Sequence, residues 1–97
     1  MITELTARIE EWARERALDT ANPDKQMLKL GEEFGEHCQG LANNRPEQVK
    51  DSIGDMYVVL TILSLQLGLD IEYCVMHSYG EIKDRKGTLK NGVWIKE

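Results

Sequence analysis

Five acidic residues are spaced so that they can act together on one ligand. Glu32, Glu33 and Glu36 occur as E-E-F-G-E, and Asp51 and Asp55 follow four residues apart. On helices, residues three and four apart share a face, so Glu33 with Glu36, Glu32 with Glu36, and Asp51 with Asp55 are carboxylate neighbours. Such pairs repel by a few tenths of a kcal/mol on an exposed helix, and by more when buried, unless a positive group sits between them. Mg²⁺ suits that position, because it takes hard oxygen ligands from a few carboxylates and leaves the rest of its octahedron to water and phosphate. Mn²⁺ accepts the same oxygen ligands.

An E-E-x-x-E run alone usually marks a solvated face, and the following segment changes that reading. The stripe holding Asp51 and Asp55 continues as Val58, Ile62 and Leu65, while the opposite side carries Val49, Ile53, Met56, Leu60 and Leu63. A helix apolar all round is buried all round. Asp51 and Asp55 are therefore expected at the mouth of a buried groove, where paired carboxylates are costly and more often functional than decorative. A chain this short cannot cover both faces of such a helix, which predicts at least a homodimer.

The elements that position these acids are helical. Apolar residues recur at three- and four-residue steps, with Pro, Gly and Asn between the runs, which predicts an all-α protein of four helices. The first spans about 2–18, with Thr3 as N-cap and Ile2, Leu5, Ile9, Trp12 and Ala13 as its apolar set. Asn22-Pro23 starts the second, which runs to about Ala42 with a core stripe of Met27, Leu30, Phe34, Cys38 and Leu41. Pro46 opens the third, ending near Leu67 before Gly68, and Asp70 caps a fourth from Ile71 to Lys83 or Arg85. The inner face of the fourth is expected to be Ile71, Cys74, Val75, Ser78 and Ile82. From Thr88 to Ile95 two β-prone runs flank Asn91-Gly92, the signature of a type I′ hairpin. Gly31, Gly35 and Gly54 lie beside the acids, where close helix packing or simple tolerance accounts for them.

Composition narrows the function classes. The 97 residues make one domain, 1–97, with no repeat or internal linker. A net charge of −5 argues against nucleic acid and anionic membrane as partners. No charged and apolar leader opens the chain and its longest apolar stretch is too short to span a bilayer, so a cytoplasmic protein is expected. Cys38 and Cys74 fit no ligand spacing and are expected to be reduced core residues. His77 is read as having no partner at ligand spacing, and thus as structural or exposed. Neither a phosphate-cradling glycine loop nor a Ser/His/Asp or Cys/His nucleophile is present.

K-L-G-E-E-F-G-E at 29–36 with S-I-G-D at 52–55 resembles the E-E-x-x-E and E-x-x-D pattern of the all-α nucleoside triphosphate pyrophosphohydrolases. That family includes MazG-like proteins, dimeric dUTPases, dCTP pyrophosphatases and phosphoribosyl-ATP pyrophosphohydrolases. The resemblance covers about residues 25–86 and is nearest to the short MazG-like proteins of phage genomes and mobile gene cassettes. It implies a four-helix MazG-like bundle assembled as a dimer or tetramer. It further implies Mg²⁺-dependent hydrolysis of a (deoxy)nucleoside triphosphate between its α and β phosphates, yielding a monophosphate and pyrophosphate, in the service of nucleotide-pool housecleaning.

By the same resemblance Glu33, Glu36 and Asp55 are metal ligands, Glu32 is a further ligand, and Glu32 or Glu36 orients or deprotonates the attacking water. Ser52 stands where the family has glutamate, and Asp51 is the residue available to replace it. Lys83, Arg85 and Lys86 offer phosphate contacts, or else compensate a helix dipole. Gly80 occupies a position that is often asparagine in the family. Trp12 can stack on a base or serve as core, and Lys25 and Lys29 can reach substrate or, as expected here, pair with Glu32 and Glu33. The rival expectation is a noncatalytic helical oligomer that binds nucleotide or a partner protein.

Overall fold

The computed structural model describes residues 1–97 as four helices followed by a two-stranded antiparallel hairpin. Helix α1 spans Ile2–Glu15, and a 3₁₀ turn follows at Leu18–Thr20. Helices α2 (Pro23–Ala42), α3 (Pro46–Gln66) and α4 (Ile71–Ile82) lead to strands β1 (Gly87–Lys90) and β2 (Val93–Lys96). Local chemistry sets most of these boundaries. The Asn22 side chain accepts from the Asp24 amide at 2.8 Å, with Pro23 at the first helical position. Asp70 accepts from the amides of Glu72 and Tyr73 at 2.9 and 3.4 Å, and Gly68 takes φ +71° after α3. Asn91 and Gly92, at φ 54° and 77°, make the tight turn that pairs Lys90 with Val93 and Leu89 with Trp94.

Both ends of α1 depart from expectation. Helix α1 is capped at Met1, so Thr3 lies inside it, and it stops at Glu15 because Ala17 turns left-handed at φ 57°. Helix α4 ends at Ile82, with Lys83 as its C-cap.

Helices α2 and α3 run antiparallel and carry the main internal seam. Gln26 donates to the Val59 carbonyl at 3.3 Å, His37 Nδ1 lies 2.9 Å from Ser52 Oγ, and Gln48 donates to the Glu36 carbonyl at 2.8 Å. Gly40 is buried where a Cβ would press on Gln48 and Val49 at 3.2 Å, so its lack of a side chain permits the close approach. Helix α1 packs on α3 through buried Thr6 and Ala13, and Thr6 Oγ1 lies 2.7 Å from the Tyr57 hydroxyl.

The seam of α2 is thus Gln26, Leu30, Glu33, His37 and Gly40, whereas the predicted stripe of Met27, Phe34, Cys38 and Leu41 is exposed in the single chain. Ile2, Leu5 and Trp12 of α1 and Val75 and Ile82 of α4 are exposed as well, and of α4 only Ile71 is buried. Cys38 is free and exposed, and Cys74 free and half-buried, which corrects the expectation that both belong to the core. Helix α4 turns from α3 by 106° and buries only Ile71, which leaves Cys74, Val75 and Ile82 partly or fully open. No single helix is long and apolar enough to cross a membrane.

Candidate metal centre

Glu33 and Glu36 project from α2 and Asp55 from α3, and one carboxylate oxygen of each lies within 4.8 Å of the others. Oxygens around an octahedral ion at ~2.1 Å are ~3–4 Å apart, so small side-chain rotations bring this set to ligand spacing. Glu33 is the fixed member. It is only 6% exposed, because the α2–α3 seam closes over it, and its Oε1 lies 3.4 Å from Lys29 Nζ. Its Oε2 is buried without any hydrogen-bond donor. A buried carboxylate oxygen left unpaired is costly, and a cation between Glu33, Glu36 and Asp55 is the group that would satisfy it. The donor set, three carboxylates with two of them open to solvent, fits a hard divalent ion that keeps water and phosphate ligands.

Electrostatics at the cluster point the same way. The Asp55 carboxyl titrates above its ordinary range, first because burial shields it from water and then because of the Glu33 charge, with Asp51 adding to it and Lys29 opposing. Lys29 is held above the usual lysine range by its hydrogen bonds to Glu33 and Glu32. Without a cation, the acids compete for one lysine.

Beside the cluster opens a cavity of about 320 Å³. Its apolar walls are Trp12, Leu18, Val58, Val59 and Ile62, and Gln26, Lys29, Glu33 and Asp55 supply its polar side. An apolar slot with carboxylates at one end suits a molecule with a flat ring and a metal-chelating anionic tail. Trp12 is 45% exposed, with the Arg16 guanidinium 4.2 Å over its ring, so it forms a wall and not core. The groove anticipated for the third helix exists for Asp55, Val58 and Ile62.

Other expected members lie elsewhere. Glu32 is exposed and paired with Lys29 at 3.5 Å, outside the three-carboxylate cluster. Asp51 is near enough to raise Asp55 but contributes no oxygen to the cluster and does not line the cavity. Ser52, 1% exposed, donates to the Val49 carbonyl at 3.0 Å and meets His37 in the seam one turn below the acids. Lys83, Arg85 and Lys86 do not line the cavity. Gly31, Gly35 and Gly54 have no neighbour within 4 Å of an added Cβ, so close packing beside the acids does not account for them within the chain. His77, read as partnerless, lies 2.6 Å from Glu81 one turn on, an exposed pair away from the cluster. Sequence reasoning passed over Gln26 and His37, whose signal is their place on the Glu33 face of α2.

The chain resembles a phage protein. An uncharacterized 18.2 kDa protein in the rep-hol intergenic region of Haemophilus phage HP1 is 49% identical over 70 residues, which are 71% of this chain and 43% of that protein. The chain therefore spans less than half the length of this relative. No protein-family model matches the sequence, and no solved structure matches it.

Proposed function

We propose that this protein is a MazG-like, Mg²⁺-dependent nucleoside triphosphate pyrophosphohydrolase, with Mn²⁺ able to serve in place of Mg²⁺, that works in the cytoplasm as a homo-oligomer and clears unwanted nucleotides. The observation that carries this reading is the unpaired, buried oxygen of Glu33 within a three-carboxylate cluster at the end of an apolar cavity. Glu33, Glu36 and Asp55 would hold the ion, and the ion supplies neutralisation of phosphate charge and polarisation of the attacked phosphorus. Glu36, on the open side, or Glu32 beside it accepts the proton of the attacking water. Trp12 and the Val58 and Ile62 walls hold the base by stacking and apolar contact. Lys29, ion-paired with Glu32 and Glu33, holds Glu33 in place at the cluster.

The surface area supports self-association. A folded monomer of 11.1 kDa exposes about 5,700 Å², whereas this chain exposes 7488 Å². The excess, about 1,800 Å² per chain, matches one side of an obligate homodimer interface. The radius of gyration, 15.8 Å, likewise exceeds the ~12.5 Å of a compact chain of this length. The apolar groove between α3 and α4, lined by Tyr57, Leu60, Ile71, Cys74 and Val75, is the surface a second copy would cover.

The test is incubation with Mg²⁺ and a panel of NTPs and dNTPs, with the products separated. Monophosphate and pyrophosphate are expected, and Glu36→Gln is expected to lower turnover by ~10²–10⁴-fold. Orthophosphate as the sole product, or undiminished turnover by Glu36→Gln, overturns the reading. One observation favours a second reading, a noncatalytic oligomer that binds nucleotide or a partner protein: Ser52 turns into the seam and leaves three carboxylates at the site. Calorimetry separates the two, because Mg²⁺-dependent triphosphate binding without turnover selects the second.

A further inference from the structure

One side chain of the cavity, Gln26, carries a hydrogen-bonding atom that the proposed chemistry leaves unused. The aliphatic side chains of the lining offer no polar atom, and Trp12 offers only an indole N–H donor. Lys29, Glu33 and Asp55 are charged; Lys29 is held by Glu32 and Glu33, and the two acids serve the ion. Gln26 Oε1 is therefore the one neutral side-chain acceptor on the lining.

The amide is oriented by the partner of its other end. Nε2 donates to the Val59 carbonyl at 3.3 Å, and a flipped amide would set two oxygens against each other. Inside α3 that carbonyl already accepts the amide four residues on, so the bond adds little to the helix. What it fixes is Gln26. Its Oε1 meets no donor within the half-buried surroundings of the side chain. When a ring fills the slot and expels water, this oxygen takes a donor from the ring or stays unpaired at a cost.

The position of Gln26 suits that role. It stands on the Glu33 face of α2, seven residues before Glu33, which is two turns or ~10 Å along the helix. Val59, its anchor, lies one turn beyond Asp55 on α3. The acids and Gln26 thus bracket the slot, separated by about the length of a sugar and a base ring.

We infer that Gln26 selects the nucleobase, its Oε1 accepting an N–H from the edge of a base whose anionic tail the ion holds at Glu33, Glu36 and Asp55. That the tail is a triphosphate rests on the function proposed above; the acceptor at the far end of the slot does not. Two donor types supply such an N–H: an exocyclic amino group, as on adenine and cytosine, and a ring imide, as on uracil and thymine, while guanine carries both. A site built to hydrogen-bond an N–H rejects the ligand that lacks it more strongly than an apolar wall rejects by shape.

Two experiments test this. In the first, kcat and KM are measured with Mg²⁺ for triphosphates of each base on wild type and Gln26→Leu, together with inhibition by inorganic tripolyphosphate, which has the tail and no base. Gln26→Leu is expected to raise KM for the preferred base by ~10–100-fold and to level the differences between bases. Its kcat should change by less than ~3-fold, and tripolyphosphate inhibition should not move. An unchanged base preference overturns the inference and leaves the proposed activity standing. So does an equal loss for every ligand, tripolyphosphate included, with a lowered Tm, because that is the mark of a purely structural bond in the seam.

The second experiment uses the folded wild-type protein and needs no turnover. Saturation-transfer NMR compares each deoxynucleoside, the base without phosphate, with its analogue methylated on the ring N–H or fully methylated on the amino group. Methylation at one donor type is expected to abolish binding to wild type, which also identifies the donor, while Gln26→Leu binds parent and analogue alike. Binding that neither methylation weakens, or no nucleoside binding at all, overturns the inference. Binding lost on methylation in a protein that turns over no triphosphate keeps the role of Gln26 and counts against the proposed activity.

Discussion

Between α2 and α3, side chains of both helices close over a seam of hydrogen bonds, whereas α4 and the hairpin together bury only Ile71. The seam is polar along much of its length: Gln26, Glu33, His37 and Gln48 all sit in it or at its edge. Helix α4 and the hairpin are the reverse, with Val75, Tyr79, Ile82, Leu89 and Trp94 turned to solvent. A single chain has therefore spent close packing on fixing the register of its acids and left its apolar area open. The first region can keep its geometry alone; the second is built to meet another surface.

The sharpest way to break this contrast is to remove packing from the first region. Ile62 is 4% exposed on α3 and also lines the cavity. Ile62→Ala is expected to cost about 2–5 kcal/mol, a fall in Tm of more than ~10 °C, at every protein concentration. Thermal unfolding at several concentrations checks it. A small, concentration-dependent loss would mean that the seam is not the stable unit.

A smaller effect, opposite in sign, is expected at the acids. The folded-state carboxyl of Asp55 titrates above its ordinary 3.8, chiefly through loss of water on its cavity side and then through the charge of Glu33. Between those two values the native state holds more protons than the unfolded one, so metal-free stability falls as pH rises through that window and stays lower at neutral pH. Asp55→Asn removes this penalty. The metal-free variant should melt ~2–4 °C higher than wild type at pH 7, from roughly 0.5 kcal/mol of relieved repulsion, and the gap should close near pH 4. Added Mg²⁺ should raise the Tm of wild type and not of the variant. A lower Tm for the metal-free variant at pH 7 would show that the carboxylates are not in conflict.

How much of this was legible in the sequence follows from what each signal reports. Asn22-Pro23, Pro46, Asp70 and Asn91-Gly92 act through their own backbone and side chains within a few residues, and the elements begin or turn where they stand. Helical spacing paired Glu33 with Glu36 and Asp51 with Asp55, whereas it was the resemblance to the pyrophosphohydrolase pattern that singled out Glu33, Glu36 and Asp55, the three that stand together. The inner face of α2 was not legible. Its apolar stripe, Met27, Phe34, Cys38 and Leu41, lies one position round from the polar seam of Gln26, Glu33, His37 and Gly40. Periodicity marks the area that water disfavours, without saying which surface will cover it, and here the chain's own neighbour takes the polar face. Ser52 was hidden for a related reason, since its pairing with His37 depends on the helix register, which no local spacing states.

The smallest effect on the body should come from the hairpin, and its smallness is the point. Gly87 has no room for a side chain, because an added Cβ would overlap the Ile95 carbonyl and the Trp94 ring. Gly87→Ala should therefore displace the Trp94 indole and open the pairing of Gly87 with Lys96 and Thr88 with Ile95. Since β1 and β2 bury no side chain against the helices, unfolding of the α1–α3 body should shift by no more than about 0.5 kcal/mol. In a Trp12→Phe background, Trp94 is the only tryptophan, and its fluorescence follows the hairpin apart from the helical circular dichroism. Two separate transitions at low protein concentration are expected, with the Trp94 transition lost first in the variant. Rising concentration should raise the Trp94 transition in wild type, because self-association covers hairpin surface that the single chain leaves open. A single transition at every concentration would mean that the hairpin is already fastened to the helices of its own chain.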